Sequence, residues 1–259
     1  MIFDTHCHIY DEMYNDDLDK VLSDAFSNGV KKILFPGNTL EESIKAVELA
    51  DRYDNLFAAV GVHPSEVFDL DLNSTMETLK QLVKNTKVKA IGEIGLDYHW
   101  HKLEEEKAIQ REWFKAQLLL AESLKLPVII HSRDACLDTI QILKECKLTI
   151  KVLFHCFSYS VEVMEEIIKY GWYIGLDGPV TYKNAITPKE VASKVPLNKL
   201  VLETDCPYLT PTPNRGKRNE PSYITYIAME VARQRNMAYD DLCNATYKNG
   251  CDFFGIDYE

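Results

Sequence analysis

Four histidines and two carboxylates carry the chemistry that this sequence suggests. His6 and His8 stand two apart in Asp4-Thr5-His6-Cys7-His8, and His131 and His155 each close a short apolar run. Glu93 falls just past one such run and Asp205 just past another. In an extended strand alternate side chains share a face, so His6 and His8 should project together while Cys7 points away. Cys156 and Cys206, each directly after a ligand candidate, should likewise face elsewhere and serve as small packing residues. Imidazole and carboxylate suit Zn²⁺, Mn²⁺ and other divalent ions. One catalytic zinc needs three protein ligands and a water. Two ions about 3.5–4 Å apart, sharing a carboxylate, would use all six candidates. A lone histidine at a strand end is more often structural, but that reading weakens for an HxH pair plus two more. The chain has no GxSxG elbow, no GxxxxGK[ST] loop and no GxGxxG turn, which leaves water activated by a metal as the nucleophile.

Such residues need a scaffold that brings distant segments together. Strands are expected at residues 2–6, 32–35, 56–62, 88–92, 128–131, 152–155, 172–176 and 200–204, mostly as continuous Val/Ile/Leu/Phe runs. Unbroken apolar strands indicate a parallel sheet buried on both faces. Stretches of helical period lie between them. In the clearest, Ile109, Trp113, Ala116, Leu120 and Leu124 define one face of a helix ending near Lys125, and Pro127 opens the next strand. Asn28-Gly29 marks another helix end, Glu104-Glu105-Glu106 a helix start favoured by the dipole, and residues 239–254 a last helix. Eight units in 259 residues average about 32 residues each, which suits a (β/α)8 TIM barrel. A doubly wound open sheet is the alternative. No linker divides the chain, so a single domain spanning 1–259 is expected, with 207–221 as a proline-rich loop. In a barrel the C-terminal strand ends converge on one mouth, where the candidate ligands would meet.

Composition narrows the function classes. Forty-six percent hydrophobic residues suffices for a sizeable core. No apolar run approaches the roughly 18 residues of a membrane helix. The acidic start of the chain has no basic leader, and seven scattered cysteines without a CxxC pair indicate reduced thiols. A cytoplasmic monomer without membrane contact is the expectation. A net charge of −11 rules out gripping a polyanion by broad phosphate neutralisation, so a few local cations must do it.

Several blocks together resemble the TatD family of metal-dependent deoxyribonucleases, within the amidohydrolase-like barrels. They are DTHCH (4–8), GVHP (61–64), GEIGLDY (92–98), LPVIIHSRDA (126–135), HCFS (155–158), GPVTYKN (178–184), and ETDCPYLTP followed by RGKRNEP (203–221). The resemblance implies two divalent ions (Zn, Mg or Mn), one on His6, His8, Glu93 and Asp205 and the other on Glu93, His131 and His155, with Glu93 bridging. It also implies nuclease action on DNA from the 3′ end, with some activity on RNA. One position departs from the family pattern: Asp177 stands where many relatives carry a small or hydroxyl residue, and an extra carboxylate there could repel phosphate or bind another ion.

Other residues fill supporting roles. Asp205 can bind a metal and accept a proton from the attacking water. His63 could hold a phosphate or serve as acid, or be a structural loop residue before Pro64. Arg133, Arg215, Lys217 and Arg218 are the local cations that the net charge demands, arginine being suited to phosphate by bidentate hydrogen bonding. Tyr98, Trp100 and Tyr208 could stack on bases or merely pack the rim. The favoured reading is a phosphodiesterase on DNA. The same ions could instead hydrolyse a carboxylic ester or amide, as an aminoacyl-tRNA deacylase or cyclic amidase does, or the chain could bind metal without turnover.

Overall fold

The apolar runs become strands and the helical-period stretches become helices, alternating up to β8 and ending in two successive helices. The computed structural model describes residues 1–258. Its strands are β1 (Ile2–Asp4), β2 (Val30–Pro36), β3 (Leu56–Val60), β4 (Val88–Asp97), β5 (Val128–Arg133), β6 (Val152–Phe154), β7 (Tyr173–Leu176) and β8 (Leu200–Leu202). Its α-helices are α1 (Leu18–Ser27), α2 (Leu40–Ala50), α3 (Leu72–Leu82), α4 (Glu104–Leu124), α5 (Cys136–Glu145), α6 (Val161–Lys169), α7 (Ile186–Lys194), α8 (Ile224–Gln234) and α9 (Tyr239–Phe254). The eight strands form one sheet in sequence order, with parallel pairing. This is the (β/α)8 barrel expected from the pattern. Backbone contacts group the residues into two compact units, 1–35 with the chain from 155 onward, and 36–154.

In the first unit the residues just after β1 are bonded to β8 and its exit: Thr5 N–H donates to Leu202 O (3.2 Å) and Asp205 N–H to His6 O (2.9 Å). The Asp4 carboxylate accepts from both the Thr204 N–H (2.9 Å) and its hydroxyl (2.6 Å). These bonds seal the seam between the first and last strands. Helix α9 packs on them, with Phe3 and Phe254 rings 5.7 Å apart and the Asn249 amide donating to Leu197 O and Leu200 O.

In the second unit β4 runs five residues further than its apolar core suggests, because pairing with β5 continues to Asp97 and Arg133. Its register shifts between Ile91 and Ile94, an irregularity that re-aims side chains. Gly95 lies at φ +148°, and a Cβ there would sit 1.9 Å from His131 O, so only glycine lets β4 and β5 approach this closely. The buried stripe of α4 is rotated from the expected one. Trp113 and Leu120 are buried, but Ile109 is exposed, and Gln110, Phe114, Gln117, Leu118 and Ala121 complete the face. The reason is two buried glutamine amides that pair with backbone. Gln117 accepts from Val62 N (2.8 Å) and donates to Val62 O (3.0 Å), and Gln110 accepts from Asp97 N (2.9 Å). The helix ends at Lys125 and begins with the three glutamates, as expected.

Candidate metal centre

In the first unit, the chain leaving β1 is held between backbone partners on both sides. Cys7 N–H donates to Leu34 O (3.2 Å) and His8 N–H to Cys206 O (2.7 Å). This extended path keeps strand parity, so His6 and His8 share a face while Cys7 is fully buried beside the Cys206 thiol. The two Nε2 atoms stand 3.1 Å apart. Asp205 Oδ1 lies 3.6 Å from the first and 3.5 Å from the second. His155 stacks on His6, with ring centroids 4.0 Å apart and planes 7° from parallel. Asp205 occupies a left-handed backbone conformation at φ +55°. Burial alone would raise its carboxyl, but the hydrogen bond with His8 and the nearby His6 and His155 rings hold it below the usual carboxylate range. It stays ionised.

In the second unit, His131 is clasped between carboxylates, with Nδ1 2.8 Å from Glu93 Oε1 and Nε2 3.0 Å from Asp97 Oδ2. Burial works against the charged ring, yet bonding to Asp97 and Glu93 outweighs it and raises the imidazole to about 9. His63 belongs to the same group. Its Nδ1 accepts from Ser65 N–H (3.2 Å), which leaves Nε2 to face Glu93 Oε1 at 3.7 Å, and its ring meets His131 edge-on at 4.3 Å. His63 is therefore both a loop cap and a neighbour of the ligand candidates.

Sequence reasoning missed three acids. Asp97 is buried against His131 and lies four residues beyond Glu93 in one strand, a spacing that could have flagged it. Glu203 is fully buried, 3.7 Å from His155 Nδ1, and accepts the Cys156 N–H; Gly175 opposite is needed because a Cβ there would meet its carboxylate at 2.5 Å. Its signal was the two-residue spacing from Asp205. Asp4 seals the seam instead of facing the ligands. Cys156 also departs from expectation. A left-handed turn at φ +44° breaks strand parity after His155, so its thiol lies with Asp177 and Asp205 instead of facing away.

The basic residues separate into two kinds. Arg133 sits 5.6 Å over the Trp100 ring and Arg215 4.2 Å over Tyr182. Arg218 is engaged elsewhere: its guanidinium binds both Asp17 oxygens (2.9 and 2.7 Å), Glu220 (3.0 Å) and Met13 O (2.6 Å). It ties the 207–221 loop to the start of α1. Trp100 and Tyr208 are exposed, whereas the Tyr98 hydroxyl donates to Asp138 at 2.6 Å.

Both groups fit a divalent ion on their donor chemistry. Ligands bound at about 2.0–2.1 Å to one ion stand roughly 3 Å apart. The His6–His8–Asp205 triangle and the Glu93–His131 pair have that spacing. Residues 3–255 match the sequence profile of the family described as TatD related DNase. This chain belongs to that family. Its TatD relatives include YabD of Bacillus subtilis, described as a metal-dependent hydrolase, 42% identical with 99% of this chain and 100% of YabD covered. YcfH of Escherichia coli, likewise described as a metal-dependent hydrolase, is 36% identical over 99% of this chain and 96% of its own. The crystal structure of the TatD homologue YjjV from Escherichia coli superposes with a TM-score of 0.92 at 31% identity, covering 99% of this chain and 98% of that one. A TatD-family hydrolase from Entamoeba histolytica gives 0.85 at 28% identity, covering 98% and 97%. The TatD chain is thus a metal-dependent hydrolase with a TIM-barrel fold. Among its described residues no helix is long and apolar enough to cross a membrane.

Proposed function

We propose that this protein is a two-metal phosphodiesterase acting on DNA, trimming from the 3′ end and accepting RNA to a lesser degree. One ion would be held by His6, His8, Glu93 and Asp205, the other by Glu93, His131 and His155, within a single domain. His6, His8, His155 and Asp205 lie just past the C-terminal ends of β1, β6 and β8, and Glu93 and His131 lie in the C-terminal halves of β4 and β5; in (β/α)8 barrels those ends open on one active face. The observation that carries the reading is the convergence of two imidazole nitrogens and an ionised carboxylate within 3.6 Å. When bound, the ions supply Lewis acidity toward the phosphoryl oxygens and charge to balance the developing anion.

The chain's own residues do the rest. Asp205 accepts the proton of the attacking water at its carboxylate. His63, whose Nε2 carries the proton when Nδ1 accepts from Ser65, donates to a phosphate oxygen or to the leaving oxygen. Asp97 fixes the His131 ring, as partners of metal-binding histidines commonly do. Arg133 and Arg215 offer guanidinium donors to phosphate, each beside an aromatic ring on which a base can stack. The family's description as DNases and these arginine–aromatic pairs favour a nucleic acid over a small ester.

The deciding experiment assays metal-replete protein on labelled single-stranded DNA in parallel with a D-aminoacyl ester. Release of nucleotides from the 3′ end is expected. Inert DNA beside a cleaved ester would move the assignment to ester or amide hydrolysis by the same centre.

A further inference from the structure

We propose that Cys156, Asp177 and Asp205 form an additional cation site that takes a thiophilic divalent ion such as Zn²⁺, Co²⁺ or Cd²⁺. The Cys156 Sγ and one carboxylate oxygen each of Asp177 and Asp205 lie within 4.8 Å of one another. Asp177 is 4% exposed, and its Oδ2 is buried without a hydrogen-bond partner. A buried carboxylate oxygen left without a donor carries a large desolvation cost, which a cation removes.

No structural duty accounts for Asp177. It precedes the short helical turn Gly178–Thr181, yet its side chain caps nothing there. Its partners are instead the neighbouring acids. The Cys156 thiol hydrogen-bonds to it, Asp205 faces it, and Glu203 adds a third carboxyl, with His155 the nearby basic group. Three buried or part-buried acids and a thiol therefore share one small volume. A dication offsets this concentration of charge where a further hydrophobic contact could not.

The donor set selects the ion. A thiolate beside two carboxylates suits a borderline-soft ion far better than Mg²⁺ or Ca²⁺, which prefer all-oxygen shells. Three protein ligands leave a fourth position open for solvent or an anionic group of the substrate. Coordination forms an S–metal bond in place of the S–H bond, and the proton leaves to solvent. Because Asp205 also belongs to the two-metal centre, this inference rests on the reading of that residue as a ligand. It extends that reading by one ion and one chemical type of donor.

Metal-free full-length protein titrated with Co²⁺ tests the site, with bound cobalt measured by elemental analysis and the thiolate-to-cobalt charge-transfer absorption followed in the near ultraviolet. His and carboxylate ligands alone give no such band. The wild type should develop the band and bind about one equivalent more than Cys156→Ser, which should lack it. Asp177→Asn and Asp177→Ser should weaken the equivalent that produces the band by about 10–100-fold, as loss of a supporting ligand contact does. A wild-type protein that saturates with cobalt without the band overturns the inference while leaving the two-metal centre standing. A band that survives in Cys156→Ser assigns it to another cysteine and also overturns it. A protein that binds no cobalt removes both readings.

Discussion

Asp205 meets two demands at once: its oxygen faces the His6 and His8 nitrogens, and its carboxyl is held ionised although buried. Asp205→Asn keeps a coordinating carbonyl oxygen but cannot accept a proton at neutral pH. Losing a general base costs about 10²–10⁴ in rate, or roughly 3–5 kcal/mol. We expect kcat to fall by that range while KM stays near its wild-type value, measured on protein of verified metal content. A fully loaded variant within tenfold of the wild-type rate would pass the base role to His63. Asp97 acts one step back, through the His131 ring. Asp97→Asn should weaken the ion on His131 by about 10–100-fold, read by competition with a chelator. Unchanged affinity would reduce Asp97 to a packing residue.

At the scale of elements, α4 is the brace of the second unit. Trp113 fills a cluster with Val62 and Val67, flanked by Leu40, Phe68, Leu72 and Met76. It lies one turn from Gln117, whose amide closes the end of β3. Trp113→Ala removes a large buried side chain and should cost about 3–5 kcal/mol, visible as a lowered urea midpoint. A loss below about 1 kcal/mol would mean that the cluster collapses freely around the gap. At the far end of α4, Glu122 binds Lys125 and accepts from the Thr149 N–H (2.8 Å) and hydroxyl (2.6 Å), joining the helix to the segment before β6. The bond with Lys125, then those with Thr149, lower its carboxyl from 4.5 to about 2. A depressed carboxyl stabilises the fold above its unfolded value and loses that contribution as pH falls. The Tm gap between wild type and Glu122→Gln should therefore be full above pH 4.5 and close as pH falls to about 2. A gap that persists through that window would exclude this linkage.

For the whole molecule, a net charge of −11 sets the terms of substrate capture. Few phosphates can be neutralised, so the log–log salt slope of DNA binding should be shallow, far from the value of about −10 of lac repressor. Within this acidic surface, Arg215 and Arg218 should behave differently. Arg215→Ala should raise KM more than it lowers kcat, the mark of a contact made equally in ground and transition states. Arg218→Ala leaves Asp17 and Glu220 without their shared cation, so its main effect should be a lower Tm. Equal KM increases in both variants would place Arg218 on the substrate as well.

Much of this was legible from residue order alone. The eight apolar runs and the helices between them follow from periodicity, because strand parity and barrel topology are local rules repeated along the chain, and the six ligand candidates were named from their spacing near those runs. The family blocks imply how those candidates would divide between two ions. Three features needed the tertiary structure. The α4 face rotated because Gln110 and Gln117 bury their amides against backbone more than 10 residues away, a partnership that apolar periodicity cannot register. The anchoring of Arg218 by Asp17, 201 residues distant in sequence, appears only in space. Cys156 left the packing role given by strand parity because one left-handed residue turns its thiol toward Asp177. Local rules fix which face a side chain takes while the backbone stays regular. A single left-handed residue, or a polar group satisfied by a distant partner, lets long-range energetics choose instead.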